Sequence, residues 1–267
     1  MNGEPGRAVR DDWNAKADRW ADHARDSRSY WTRRSVAIAG MIRKHLHAGR
    51  SLDIGCGSGL LCRLLSEAGF DVYGADLSEK MVQRARALLA DRLADAPQRF
   101  RVCPDGRIPY DPAKDRFDLI TAIGVLQFVQ ERAAYLAHLA ALLQPGGCLV
   151  LSNSNPRSLF VSLAVASRML RFRPTPEWRT TIRNLARTGI WSGGHVVYER
   201  AEDIYSAAAL DRLAGAAGLA PVDAVDFYYL GSRWLDRDPG RRSRPGRNLA
   251  RRWGWNHVGL YRQAAPT

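Results

Sequence analysis

The chain has 267 residues, of which 46% are hydrophobic and 25% charged, enough for one sizeable core. Its formal charge of +13 is carried mostly by arginine, with Lys16, Lys44, Lys80 and Lys114 the only lysines, a bias that fits a GC-rich coding sequence as well as an anionic partner. The N-terminus has no apolar signal core, no run of about 18 apolar residues occurs, and Cys56, Cys62, Cys103 and Cys148 form no CxxC pair; these features argue against a secretion signal, a membrane span, a disulfide framework and a zinc knuckle, and predict a cytoplasmic protein with reduced thiols.

In chain order, DDWNAKADRWADHARD and RRSVAIAGMIRKHL predict two helices, a cap over residues 1–48. From about 49 to 153, short apolar strands alternate with helical stretches, the pattern of parallel βαβ units. RSLDIG (50–55) reads as the first strand and LLCRLLSEAG (60–69) as a helix ended by Gly69. FDVYGAD (70–76) is a second strand, and Ser78 is placed to cap the helix that follows, where Met81, Ala85, Leu88 and Leu89 recur at helical spacing. RFRVC (99–103) and DRFDLITAIG (115–124) are the third and fourth strands. QERAAYLAHLAALLQPGG predicts a helix closed by Pro145, Gly146 and Gly147 before the fifth strand, CLVLSNSN (148–155). The regular alternation then breaks. An insertion at about 156–200 precedes a helix beginning near Glu202, and its length suggests a lid. APVDAVDFYYL (220–230) and HVGLYRQ (257–263) are the sixth and seventh strands, separated by an arginine-rich insertion at about 232–255. The whole reads as an α/β, Rossmann-like, doubly wound sheet, with residues 49–267 forming its main domain.

The stretch SLDIGCGSGL holds the first chemical signal. A glycine-rich turn from strand to helix lets a ligand approach bare backbone, and the helix N-terminus offers free N–H donors. Dinucleotide folds use GxGxxG; here Gly55, Gly57 and Gly59 alternate, position 60 is Leu60, and Asp53 precedes the turn. Asp76 ends the second strand, where a carboxylate can accept both hydroxyls of a ribose, and Asp105 follows the third, where an acid can accept from an adenine amino group. Three sites at three consecutive strand ends describe an adenosine ligand with its tail at the glycine turn.

On these residues the sequence resembles the class I S-adenosylmethionine-dependent methyltransferases. LDIGCGSG is similar to the family's first motif, YGADLSEKMVQRAR to its acidic second-strand motif, CPDGRIPY to its adenine loop, and FDLITAIGVLQFV with LLQPGGCLVLSN to its fourth and fifth strands. The resemblance implies seven strands, the last antiparallel and inserted beside the fifth, and S-adenosyl-L-methionine as cofactor. It places Gly55, Gly57 and Gly59 under the methionine part, Asp53 at the amino group and Asp76 at the ribose. Leu77 and Met81 would sandwich adenine, Asp105 and Gly106 would meet its edge, and Ile123 joins the cofactor-binding set. The adenine loop is one residue shorter than in many members.

Acceptors in this fold sit above the ends of the fourth and fifth strands, so Gln127, Phe128, Asn153 and Asn155, with Tyr30 from the cap, are the expected acceptor-side residues. Tyr30 and Trp31, beside Arg33 and Arg34, are placed to close over the cofactor, an arginine pairing its carboxylate. A narrower resemblance is to the ubiquinone-biosynthesis O-methyltransferases, through SNSNPRSLFVSLAV; those enzymes carry acidic and histidine metal ligands after the fourth strand, whereas this chain has GVLQFV, and no metal is expected. His195, in a glycine-flanked stretch before the late helix, is the candidate base. LFVSLAVASRMLRFR, apolar and then basic, suits a hydrophobic lid or peripheral contact with an anionic inner-membrane face. The arginine run, with no nucleic-acid domain around it, suits a solvated loop or a phosphorylated acceptor better than nucleic acid. The function expected is methylation, at oxygen, of a small hydrophobic or phosphorylated acceptor in secondary-metabolite or lipid and quinone-type biosynthesis. The alternatives are N-methylation, an RNA or protein methyltransferase using the arginine loops, and a non-catalytic adenosine-binding or membrane-docked module.

Overall fold

The computed structural model describes residues 4–103, 105–154, 207–227, 229–230, 233–234 and 256–263. The two N-terminal helices are α1 (Glu4–Arg25) and α2 (Tyr30–Arg43). Ser29 caps α2, its hydroxyl oxygen accepting from the Thr32 N–H at 3.1 Å, while Ile38, Met41 and Ile42 are buried on one helical face. The alternating core then runs β1 (Gly49–Ile54), α3 (Leu60–Glu67), β2 (Phe70–Asp76), α4 (Glu79–Leu89), a four-residue helix α5 (Ala96–Arg99), β3 (Phe100–Val102) and β4 (Phe117–Ala122). A 3-10 turn (Leu126–Phe128), α6 (Arg132–Ala141) and β5 (Leu143–Ser154) follow. Beyond them lie α7 (Ala207–Ala216), β6 (Leu219–Phe227), the short β7 (Tyr229–Leu230) and β8 (Arg233–Trp234), and β9 (Asn256–Gln263).

The principal sheet has the order β3-β2-β1-β4-β5-β9-β6. β1 to β5 pair in parallel, and β9 runs antiparallel between β5 and β6, as the sequence resemblance implied. The central strands are buried on both faces, as βαβ crossovers require. One layer sets Leu119, Cys148, Val150, Val258 and Leu260 against α2, α3 and α4. The opposite layer sets Leu52, Ile54, Ile120, Leu149, Leu151 and Tyr261 against α6 and α7. No described helix is long and apolar enough to cross a membrane.

The expected elements need two corrections. Pro145, Gly146 and Gly147 do not close a helix before the fifth strand: α6 ends at Ala141 and β5 begins at Leu143, ahead of the expected Cys148. The pairing jumps from Phe117↔Leu143 to Leu119↔Cys148, so these residues form a bulge inside the strand pair. A Cβ on Gly147 would stand 2.9 Å from the Gln144 carbonyl oxygen, so the bulge admits only glycine there. The sixth strand also stops early, at Phe227, and Tyr229–Leu230 pairs instead with Arg233–Trp234 in a separate hairpin. Asn155, His195, the expected lid at 156–200 and most of the arginine-rich insertion lie outside the described residues.

Candidate functional site

The β1–α3 turn is built from backbone bonds to β2 and a strand-end carboxylate. The amides of Gly55 and Cys56 both donate to the Ala75 carbonyl, at 2.7 and 3.1 Å. The Gly57 N–H donates to Asp76 Oδ2 at 2.9 Å, and the Ser78 N–H donates to Asp76 Oδ1 at 2.8 Å. Asp76 thus clamps the glycine turn to the start of α4. Burial raises its pKa, while the backbone N–H donors of Ser78, Gly57 and Leu77 oppose that rise by favouring the carboxylate. Ser78 caps α4, accepting from the Met81 N–H at 3.1 Å, and its hydroxyl donates to Asn14 Oδ1 of α1 at 2.7 Å.

Two of the three glycines serve different ends. Gly57 has φ +53°, and a Cβ there would meet only the Trp20 indole, at an ordinary 3.4 Å. Gly59 has φ +85°, and a Cβ would stand 2.9 Å from the Ala85 Cβ and 3.0 Å from its Cα. Gly57 therefore leaves bare backbone facing the cap, whereas Gly59 permits the close approach of α3 to α4. Gly59 is also the N-cap of α3 and supplies no side-chain hydrogen bond, so the first-turn amides of that helix stay available to a polar ligand.

Below the turn, Asp53 is 5% exposed; its Oδ1 accepts from Thr121 Oγ1 at 2.6 Å and its Oδ2 from the Cys62 thiol at 3.7 Å. Burial pushes its carboxyl up to about 7, against the two hydrogen bonds and with the Asp76 charge adding to the rise. The neighbouring thiols are held protonated by the same burial: Cys56 and Cys62 lie well above the ordinary range and Cys103 is pushed to about 12.

An aromatic cap from α1 and α2 covers this floor. Trp20, which overlies Gly57, stands 4.3 Å centroid to centroid from Trp31 and 5.2 Å from Trp13. Trp13 meets Phe128 edge-on at 6.4 Å, and Tyr30 meets Phe227 of β6 at 6.3 Å. The Arg34 guanidinium lies 4.7 Å over the Trp31 ring and 5.7 Å over Tyr30, and its charge works against the burial-driven rise in the Tyr30 and Asp53 pKa values. The structure thus brings Tyr30, Trp31 and Arg34 together near the glycine turn, with Phe128 at the cap's rim. No sequence motif marks Trp13, Asn14 or Trp20. The spacing of Trp13, Lys16 and Trp20 on one amphipathic helix was the available signal, but nothing local says which surface that face covers.

Of the remaining candidates, Met81 is fully buried in α4 and Leu77 is half-buried beside Asp76. Asp105 closes its own turn, Oδ1 accepting from the Arg107 N–H at 3.1 Å, with Gly106 next to it at φ +73°. Ile123 and Gln127 are half-buried around the turn after β4, where the Gly124 N–H donates to Ser152 Oγ at 2.7 Å. Asn153 is buried at the carboxyl end of β5, opposite His257 of β9. Among the described residues, no group of three or more His, Cys, Asp or Glu side chains stands ready to hold a metal ion.

A family model described as a methyltransferase domain matches residues 10–224. The ubiquinone biosynthesis O-methyltransferase of Bradyrhizobium diazoefficiens is 38% identical over 133 residues, 48% of this chain and 51% of that protein. The chain thus matches about half the length of such curated relatives. Among solved structures, the magnesium protoporphyrin IX methyltransferase of Synechocystis with bound SAH superposes with a TM-score of 0.58 at 19% identity, over 98% of this chain and 100% of that one. The cyclase SpnF superposes with a TM-score of 0.59 at 16% identity, over 100% of this chain and 99% of its own. At such identities the likeness is one of fold, and the fold hosts more than one chemistry.

Proposed function

The chain belongs to the methyltransferase-domain family, and from that membership we propose that it transfers a methyl group from S-adenosyl-L-methionine to the oxygen of a small-molecule acceptor. The observation that carries the reading is the clamp at the glycine turn: Asp76 bonded to Gly57 and Ser78, with bare backbone at Gly57 and an α3 N-terminus free of any side-chain cap. These residues fit the cofactor. Asp76, a buried carboxylate at the end of β2, retains acceptor capacity beyond its amide donors for a ribose hydroxyl, and Gly57 presents backbone without a side chain at the turn. When bound, the cofactor supplies an electrophilic methyl group on a sulfonium.

The remaining assignments follow the strand ends. Gly55, Gly57 and Gly59 line the methionine side, Asp53 serves its amino group, and Arg34, whose charge reaches Asp53, serves its carboxylate. Leu77, Met81 and Ile123 form the apolar walls around adenine, and Asp105 with Gly106 meets its edge. Tyr30, Gln127, Phe128, Asn153 and Asn155 bound the acceptor, and His195 is the candidate base for a proton-bearing acceptor. Methyl transfer is an in-line displacement, so the cap contributes by holding the two reactants in register and excluding water. The O-methylation class is supported by the ubiquinone-biosynthesis relatives; a hydrophobic or phosphorylated acceptor and contact with an anionic membrane face belong to the same proposal.

Calorimetric titration with S-adenosylhomocysteine, with NAD and NADP alongside, tests the reading. Micromolar binding of the homocysteine nucleoside alone is expected, followed by label transfer from methyl-labelled cofactor to a hydroxylated acceptor. Binding of a nicotinamide dinucleotide in its place overturns the reading.

A further inference from the structure

β9 carries a buried polar row that the cofactor assignment does not use. Asn153 of β5, His257 of β9 and Asp226 of β6 are direct partners in the sheet register, so the three side chains share one face. All three are buried, at 5%, 5% and 8% exposure. His257 Nδ1 lies 2.6 Å from Asp226 Oδ1. An ionised carboxylate only accepts, so in the neutral ring Nδ1–H donates to Asp226 and the lone pair is left on Nε2. That Nε2 is buried and has no hydrogen-bond partner among the described residues. An acceptor nitrogen oriented by a carboxylate and otherwise unsatisfied is expensive to keep inside a protein, which points to a ligand.

Asn153 is the penultimate residue of β5, two residues past Leu151, which pairs with Ala122 at the end of β4. The row thus stands at the carboxyl end of the sheet, where ligands bind in open α/β folds, and on the far side of β4 from the glycine turn. We propose that Asp226 and His257 form a recognition site for the acceptor's hydroxyl, which donates its hydrogen bond to Nε2 while Asp226 holds the ring in the Nδ1–H tautomer. The site rests on the methyltransferase reading and gives it a substrate class: acceptors bearing a phenolic or alcoholic O–H.

The test uses the full chain carrying 15N-histidine, with the His257 ring signals assigned through His257→Gln. Phenol is the probe, and anisole, its methyl ether, is the control that lacks the proton. Expected are the Nδ1–H tautomer, an Nε2 shift that phenol moves saturably, and no such shift with anisole. Asp226→Asn, which serves for assignment if His257→Gln does not fold, should weaken the phenol response and lose the tautomer preference. An Nε2 signal unmoved by phenol, or moved equally by anisole, overturns the site; a response to aniline without one to phenol makes it an amine site and overturns the hydroxyl assignment. Each titration is run with and without S-adenosylhomocysteine, whose own binding is read by calorimetry. Failure of the nucleoside to bind then counts against the cofactor reading alone, because the phenol response is measured independently.

Discussion

The two halves of the sheet solve the problem of buried polarity differently. On the β1–β2–β3 side, Asp76 is satisfied by amides 2 and 19 residues away, and the turn it clamps is continuous with the strands beside it. On the β4–β5–β9–β6 side, Asp226 meets His257 across 31 residues and Asn153 stands opposite the same histidine in the strand register. The Asp76 clamp in the first half is short-range: it needs only β1 beside β2, two consecutive strands joined by one helix. The second exists only once three strands are aligned, and it tolerates no slip, since a one-residue shift would turn the row to the other face. A rigid turn suits a ligand that does not change, and a composite row suits one that must be distinguished from others.

That contrast can be sharpened by experiments on the turn half, in descending order of expected effect. The Asp53 pKa is raised in the folded state, so the native protein holds that proton more tightly than the unfolded chain, and this group's contribution to stability is greatest at low pH. It should be lost as pH rises from about 4 towards 7, by at most roughly 4 kcal/mol. Asp53→Asn should flatten that dependence in denaturant titrations at stepped pH, and an unchanged slope would show that Asp53 is not the group responsible. Gly59→Ala should cost about 3 kcal/mol of stability, from the left-handed backbone and the clash with Ala85, whereas Gly57→Ala should spare most of that and weaken nucleoside binding instead. If the two variants behave alike, the division of labour between the glycines is wrong.

Asp76→Ala should weaken S-adenosylhomocysteine binding by roughly 1 to 3 kcal/mol in calorimetry, with unaltered affinity removing its ribose role. Smallest is Ser78→Ala, which loses the α4 cap and the bond to Asn14 and should lower stability by about 1 kcal/mol. A larger loss of cofactor affinity than of stability in that variant would show that α1 is positioned through Ser78 to shape the site.

The same contrast explains what could be read early. The glycine turn, Asp53, Asp76 and the Ser78 cap were legible because each acts within a few residues of the chain or at a strand end that hydrophobic patterning marks. No local pattern marks Gly74, although a Cβ there would meet the Phe100 ring at 2.6 Å, since its neighbour arrives from the next strand. No sequence motif marks Trp20, because only packing of α1 over the turn gives it a role. Pro145-Gly146-Gly147 read as a helix stop because that is what such residues do locally; pairing with β4 made them a bulge.

By itself, then, the sequence determined the order of strands and helices, the acidic strand ends and the glycine turn, because hydrophobic period, capping and backbone freedom are properties of short segments. The antiparallel insertion of β9 was implied only through family resemblance. Only the tertiary structure decided that His257 lies between Asn153 and Asp226, that Gly59 serves helix packing while Gly57 faces Trp20, and that three tryptophans from two helices cover the turn. Those are relations between segments far apart in the chain, set by register and packing, and none is encoded in the composition of the segments they join.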